Sequence, residues 1–273
     1  LRDAGIRTVH FISPSIWAWR AGRVHTVGRA ADLVLCLFPF EPALYAKHGI
    51  AASYVGHPLA DAIPLEVPRE ASRAALGLAQ DATVVALLPG SRRSEIEYNA
   101  PRLFGAALRM HRARPGLRFV LPLAPGLRAM VEPIRDREAA AIPIELVDGR
   151  SHDALGACDA AIVASGTATL EAALFKAPMV IMYAMNPITW LLMRPRNLQP
   201  WIGLPNILLG RHAVPELLQG DATPERLAAE ALAWLDDAAR VAALRAAFTQ
   251  LHLTLRRDTA QTATDAIEKI LAR

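Results

Sequence analysis

Cysteine is scarce: Cys36 and Cys158 are the only two in 273 residues, each within an apolar run and without C-x-x-C or zinc-type spacing. That number excludes a disulfide framework and reads as two small core fillers in a reducing compartment. The eight histidines are scattered, no H-E-x-x-H occurs and no aspartate-rich calcium loop is found. We therefore expect no metal and no cofactor. The G-x-S-x-G elbow of a hydrolase and the G-x-x-x-x-G-K-[ST] loop are both missing, which excludes those two sites. Long hydrophobic runs are missing too. Residues 177–193 come closest, but Pro178, Asn186 and Pro187 interrupt them, short of the roughly 20 apolar residues of a span. Membrane contact, if made, is expected to be peripheral. No signal peptide and no internal repeat is visible.

What is present describes a protein with a core: 53% of residues are apolar and 21% charged, with a net charge of +4 and a pI near 9.4. A basic balance suits phosphates, an anionic membrane surface or nucleic acid. The 30 lysines and arginines are spread along the chain without a basic run or recognition motif, so nucleic acid is not expected as a partner. Short runs rich in Val, Ile and Leu recur at 8–12, 33–38, 53–55, 83–88, 118–121, 144–147, 160–164 and 179–183, separated by Ala/Leu/Arg-rich helical patterns. Such alternation predicts βαβ units, a parallel sheet and the α/β class. The chain opens on Leu1 and is soon in a strand pattern, so we read it as a piece of a longer protein. GHPLADAIPLEVP (56–68) holds three prolines and no helical periodicity, which marks a linker. The expected organisation is 1–57 as the tail of a first Rossmann-like domain, 58–68 as linker, and 69–250 as a second Rossmann-like domain. Residues 251–273 are expected as a helix packing back on the first.

Two strand-to-helix turns stand out. In LLPGSRRSE (87–95), Gly90 permits close backbone approach, Ser91 can cap the helix and Arg92 supplies a charged fork that matches a diphosphate. The alternative is an ordinary turn with a solvated arginine. In ASGTATLE (164–171), the amides of Ser165, Gly166 and Thr167 can bind a second phosphate, and Glu171 can accept from two ribose hydroxyls. Glu171 can equally be a carboxylate favoured by the helix dipole. Asn206 in WIGLPNILLG (201–210) is satisfied either by backbone or by a ligand. Trp17 and Trp19 alternate in SPSIWAWR (13–20), so one can pack in the core while the other lines a sugar or lipid site. Residues 181–193, with Trp190 and then Arg194, read either as a membrane-facing or acyl-binding patch or as a buried helix with a basic end. His10 and His57 sit at strand ends, and neither is assigned as an acid or base.

Taken together, SPSIWAWR, LFPFE (37–41), YAKHGI with VGHPLAD (45–61), LLPGSRRSEIE (87–97), ASGTATLEAAL (164–174) and LPNILLGR with VPELLQ (204–219) resemble the lipid-A-disaccharide synthase family over nearly the whole chain. The resemblance implies a GT-B fold of two Rossmann-like domains, the first present in part, with C-terminal helices. It implies a metal-independent, inverting transfer of 2,3-diacylglucosamine from its UDP derivative to 2,3-diacylglucosamine 1-phosphate, giving a β-1,6 disaccharide and UDP. It also implies a cytoplasmic enzyme peripheral on the inner face of a Gram-negative inner membrane. Carried onto this sequence, Arg92 contacts the diphosphate, Glu171 holds the ribose and Asn206 positions the nucleotide or donor. Trp17, Trp19, Trp190 and Arg194 are candidates for acceptor or lipid contact. The family's carboxylate base is expected upstream of Leu1. Arg93 departs from the pattern, where a small residue is common. A homodimer with swapped C-terminal helices is a further hypothesis. The alternatives are a nucleotide-binding piece without catalysis, or another UDP-sugar GT-B enzyme or epimerase.

Overall fold

The computed structural model describes residues 1–18, 22–193 and 198–272, with only the backbone of Asp3 and Met193 considered. The candidates Trp19 and Arg194 lie outside the described residues. Two compact units are formed: Leu1–Pro64, Met193–Pro200 and Gln250–Arg273 make unit 1, while Leu65–Leu192 and Trp201–Thr249 make unit 2.

Unit 1 contains three parallel strands in the order β1 (Val9–Phe11), β2 (Leu33–Cys36), β3 (Ala52–Tyr54). Alternation along β2 sends Val34 and Cys36 into one cluster with Val24 and Val27 of α1 (Arg23–Ala30) and Tyr45 of α2 (Glu41–Ala46). Leu33 and Leu35 go to the other cluster, against Ala263, Ala266 and Ile267 of α13 (Thr259–Leu271). Strand periodicity thus builds two apolar layers from four residues. The expected strand 33–38 ends early, because the amides of Leu37 and Phe38 donate to Glu41 Oε2 at 3.0 and 2.9 Å rather than to a ladder.

The 56–68 stretch holds a helix that its prolines concealed: α3 runs Pro58–Ala62. Pro58 suits a first helical turn, and the His57 side chain caps it, Nδ1 accepting from the Leu59 amide at 3.2 Å. Asp61 then accepts the amides of Arg257, Asp258 and Thr259 at 3.1, 3.1 and 2.7 Å, fixing the start of α13.

Unit 2 is built on six parallel strands, β4 (Val84–Leu88), β5 (Arg118–Leu123), β6 (Ile144–Asp148), β7 (Ala160–Ala164), β8 (Met179–Tyr183) and β9 (Glu216–Leu218), in the order β6-β5-β4-β7-β8-β9. Every residue of β4 and β7 is buried, as expected for central strands covered on both faces. Helices α5 (Arg93–Ala113), α6 (Arg128–Glu138), α7 (Ser151–Ala157) and α8 (Thr167–Leu174) make the crossovers. After β8 come α9 (Pro187–Met193) and α10 (Leu204–Leu209), and after β9 come α11 (Pro224–Asp236) and α12 (Ala238–Leu255). β9 was not expected, since three residues after a proline give no alternation to detect.

At the amino-terminal side of this sheet, Arg73 of α4 (Arg69–Ala75) is 1% exposed. It donates to Asp159 Oδ2 at 3.0 Å and to the Ala157 carbonyl at 3.1 Å, and Asp159 also accepts the Val84 amide at 2.8 Å. This ties α4 to the roots of β4 and β7. Both cysteines are buried, and burial pushes their thiols up to about 12, so they stay protonated and unreactive.

Candidate functional site

The strand order of unit 2 reverses between β4 and β7, and in an open parallel sheet a ligand crevice forms at the carboxyl ends of the strands flanking that reversal. A cavity of about 430 Å³ lies there. Gly90, Ser91, Arg92 and Glu95 line it from the turn after β4, Ala124 and Pro125 from the turn after β5, and Ser165, Gly166, Thr167 and Glu171 from the turn after β7 and from α8. Two stretches separated by more than 70 residues in sequence therefore share one cavity because their strands are neighbours in the sheet.

The first turn differs from expectation in its cap. Arg92, not Ser91, is the N-cap of α5, with extended backbone and no cap bond from its own side chain. Glu95 supplies the cap instead: its Oε2 accepts from the amides of Ser91 and Arg92 at 2.9 and 3.2 Å, and its Oε1 accepts from Arg92 Nη1 at 2.8 Å. A carboxylate three residues into a helix is the usual partner of an N-cap amide. Arg92 keeps 77% side-chain exposure, so the rest of its fork faces solvent.

In the second turn, Ser165 is occupied. Its amide donates to the Met182 carbonyl at 2.8 Å as part of the sheet, and its hydroxyl donates to the Ile202 carbonyl at 3.3 Å. The phosphate capacity of this turn therefore rests on the amides of Gly166, Thr167 and Ala168, since the Thr169 amide already donates to the Gly166 carbonyl at 3.1 Å. Glu171 lies on the cavity wall, 20% exposed, with His152 Nε2 3.5 Å from its Oε2. Among the described residues, no hydrogen-bond partner approaches its other oxygen.

Asn206 takes no part in this cavity. It is fully buried, its Nδ2 donating to the Val214 carbonyl and Glu216 Oε1 at 2.9 and 2.8 Å, while its Oδ1 accepts from the amides of Ala213 and Val214 at 2.7 and 3.0 Å. With its hydrogen-bonding capacity so used, the direct nucleotide contact expected from sequence is corrected to a structural post. For Trp17, the core alternative of the two left open by the sequence is the one that the structure favours. Trp17 is 8% exposed, donates from Nε1 to Glu41 Oε1 at 3.1 Å and packs edge-on against Phe38 and Phe40, which makes it core rather than a sugar platform. Burial pushes the Glu41 carboxyl upward, partly countered by the donors of Phe38 and its neighbours.

Trp190 is half-buried on α9, whose Ile188, Leu191 and Leu192 are 71%, 69% and 63% exposed. A fully buried helix is thereby ruled out for this stretch. No helix among the described residues is long and apolar enough to cross a membrane. His10 is exposed on β1, and His57 is the α3 cap, so neither stands in the cavity.

Sequence reasoning missed two further residues of the site. Glu95 was legible as a helix-capping carboxylate, though not as the occupant of the turn amides. Asn99, fully buried on α5, donates from Nδ2 to the Pro89 carbonyl at 3.0 Å and accepts at Oδ1 from the Ala184 amide at 3.0 Å. It fastens the first turn to the chain leaving β8, and nothing in the sequence marked it.

The comparisons with known proteins agree with this architecture. Solved structures similar in fold include an Anabaena protein in complex with UDP and glucose (TM-score 0.58, 15% identity, covering 100% of this chain and 73% of that one). A second is a UDP-GlcNAc 2-epimerase from Neisseria meningitidis bound to UDP-GlcNAc (TM-score 0.62, 12% identity, covering 99% and 71%). The fold is of the GT-B type. In sequence, the chain is 54% identical to the lipid-A-disaccharide synthase of Albidiferax ferrireducens over 99% of this chain and 71% of that protein. It is 53% identical to that of Cupriavidus pinatubonensis over 99% and 67%. The family model described as lipid-A-disaccharide synthetase matches residues 1–271. The chain belongs to the lipid-A-disaccharide synthetase family of glycosyltransferases.

Proposed function

We propose that the cavity between the β4 and β7 turns holds the UDP part of a UDP-activated lipid sugar. The reaction is transfer of 2,3-diacylglucosamine to 2,3-diacylglucosamine 1-phosphate, with release of UDP. The observation that carries this reading is the convergence of Arg92, the α8 first-turn amides and Glu171 on one cavity at the reversal of strand order. Arg92 and the positive end of α8 meet the charge that builds on the departing diphosphate, and Glu171 accepts from the ribose hydroxyls. On this reading unit 2 is the nucleotide-sugar side and unit 1 the acceptor side. Family membership favours this chemistry over epimerisation or nucleotide binding alone, and product analysis with acylated and unacylated UDP-sugars separates these.

The test is calorimetric UDP binding to the chain and to Arg92→Ala and Glu171→Ala, each checked for folding by circular dichroism. Loss of a charged hydrogen-bonding partner is expected to weaken binding by roughly 10- to 100-fold in each case. Folded variants that bind UDP as tightly as the parent would remove these residues from the site.

We also propose that the exposed Ile188, Leu191 and Leu192 rest on the anionic inner face of the inner membrane, where the acyl chains of both substrates lie. An apolar surface on a short helix of a basic protein supports this. Replacing Leu191 and Leu192 together by serine is expected to lower binding to phosphatidylglycerol vesicles by roughly tenfold or more, read by co-sedimentation. Unchanged co-sedimentation counts against the patch. Dimerisation remains open to light scattering: a mass of one chain rejects it.

A further inference from the structure

The carboxylate of Glu95 occupies the donors that the proposed nucleotide requires. Its Oε2 accepts from both turn amides, Ser91 at 2.9 Å and Arg92 at 3.2 Å, and its Oε1 pairs with the Arg92 guanidinium at 2.8 Å. In a capping box the carboxylate's own share is only the bond to the N-cap amide. Here one carboxylate takes three donors of the same turn, lines the same cavity and is only 11% exposed at its side chain. The glycine at 90 gives it the room. Gly90 has φ +114°, and a Cβ built there would lie 2.4 Å from Glu95 Oε2 and 2.7 Å from Glu95 Cβ. Any side chain at 90 would drive the carboxylate off the amides. The absence of a side chain at 90 thus serves Glu95 in this structure, and not only a phosphate.

We propose that Glu95 is a displaceable internal anion that competes with the nucleotide's phosphates for the Ser91 and Arg92 donors, which limits the affinity for UDP and favours its release. A phosphate brings more acceptor oxygens and more charge than a carboxylate, so it can take over the same donors without leaving them unsatisfied. Binding must nevertheless break the three Glu95 bonds, and it brings a negative phosphate close to a carboxylate in a cavity partly shielded from water. An uncharged glutamine at 95 keeps an acceptor for the cap, abolishes the repulsion and holds the guanidinium less firmly. Its amide can also donate to the phosphate.

This inference rests on the nucleotide reading of the cavity, and the experiment separates the two. UDP, inorganic pyrophosphate and uridine are titrated calorimetrically into the full chain and into Glu95→Gln, with folding checked by circular dichroism. Glu95→Gln is expected to bind UDP roughly tenfold more tightly, about the worth of one charge-assisted contact. Pyrophosphate is expected to follow in the same direction, and uridine, which has no phosphate, to be indifferent to the change. Glu95→Ala carries the same expectation should the glutamine variant not fold. Equal or weaker UDP binding by a folded variant overturns the proposal, because it makes Glu95 a positioning residue whose carboxylate shapes the turn for the ligand. If neither the parent nor a folded variant binds UDP, the nucleotide reading falls and the competition falls with it.

Discussion

Asn206→Leu is expected to lower stability by roughly 3–5 kcal/mol, because it strands several buried groups together. The leucine fills a similar volume but leaves the Val214 carbonyl, the amides of Ala213 and Val214 and Glu216 Oε1 without this partner. Glu216 also accepts the amides of Ile202 and Gly203 at 2.9 and 3.0 Å, so the damage spreads through the approach to α10 as well as to β9. The urea midpoint of the variant measures the loss. Calorimetry on its folded fraction is expected to give UDP affinity within about threefold of the parent, less than one lost hydrogen bond. The opposite pattern, full stability with binding abolished, would restore Asn206 as a direct ligand.

His57 is expected to make the protein acid-sensitive, with a sign fixed by its burial. Desolvation pulls its imidazole down to about 4, with Asp61 opposing the fall, against the 6.5 of a free histidine. The folded chain therefore keeps this ring neutral where the unfolded chain begins to take up a proton. Stability from this residue is complete above about pH 6.5 and declines as the pH falls towards 4. Linkage puts the loss at about 2 kcal/mol at pH 5 and about 3 kcal/mol at pH 4. Other groups titrate in the same range, so the informative comparison is with His57→Asn. Asparagine is a strong N-cap that can still accept from the Leu59 amide, and it does not titrate. Urea midpoints at pH 7 and pH 5 should show the variant losing about 2 kcal/mol less than the parent. Equal losses would mean that the ring is protonated in the fold without penalty.

Much of the architecture was legible in the sequence because it is written in local pattern. The runs at 160–164 and 179–183 coincide with β7 and β8, and the other expected strands lie within a few residues of their ends. The turns at 89–92 and 165–166 were visible as glycines between an apolar run and a helix. Their convergence follows from parallel topology, which puts every such turn on one edge. Where sequence reading failed, distant residues had intervened. Glu41 ended β2 by taking the next two amides of the chain, those of Leu37 and Phe38. A three-residue β9 pairs with β8 without a pattern of its own, and α3 is stabilised by the His57 cap and an Asp61 bond to amides nearly 200 positions away.

The sequence by itself determined the α/β class, the positions of most strands, the two turns at the edge of the sheet and the family resemblance. All four depend on residues close to one another along the chain or on short ordered motifs. Only the tertiary structure decided which polar groups remain free to act. Asn206 was closed by the 213–216 segment folding over it, and Trp17 was drawn into the core by a carboxylate 24 residues away. The first turn was filled by Glu95, while Glu171 was left on the cavity wall with His152 as its neighbour. The physical reason is that a hydrogen-bonding side chain is available to a ligand only after every donor and acceptor packed around it has been satisfied, and packing brings those partners from anywhere in the chain.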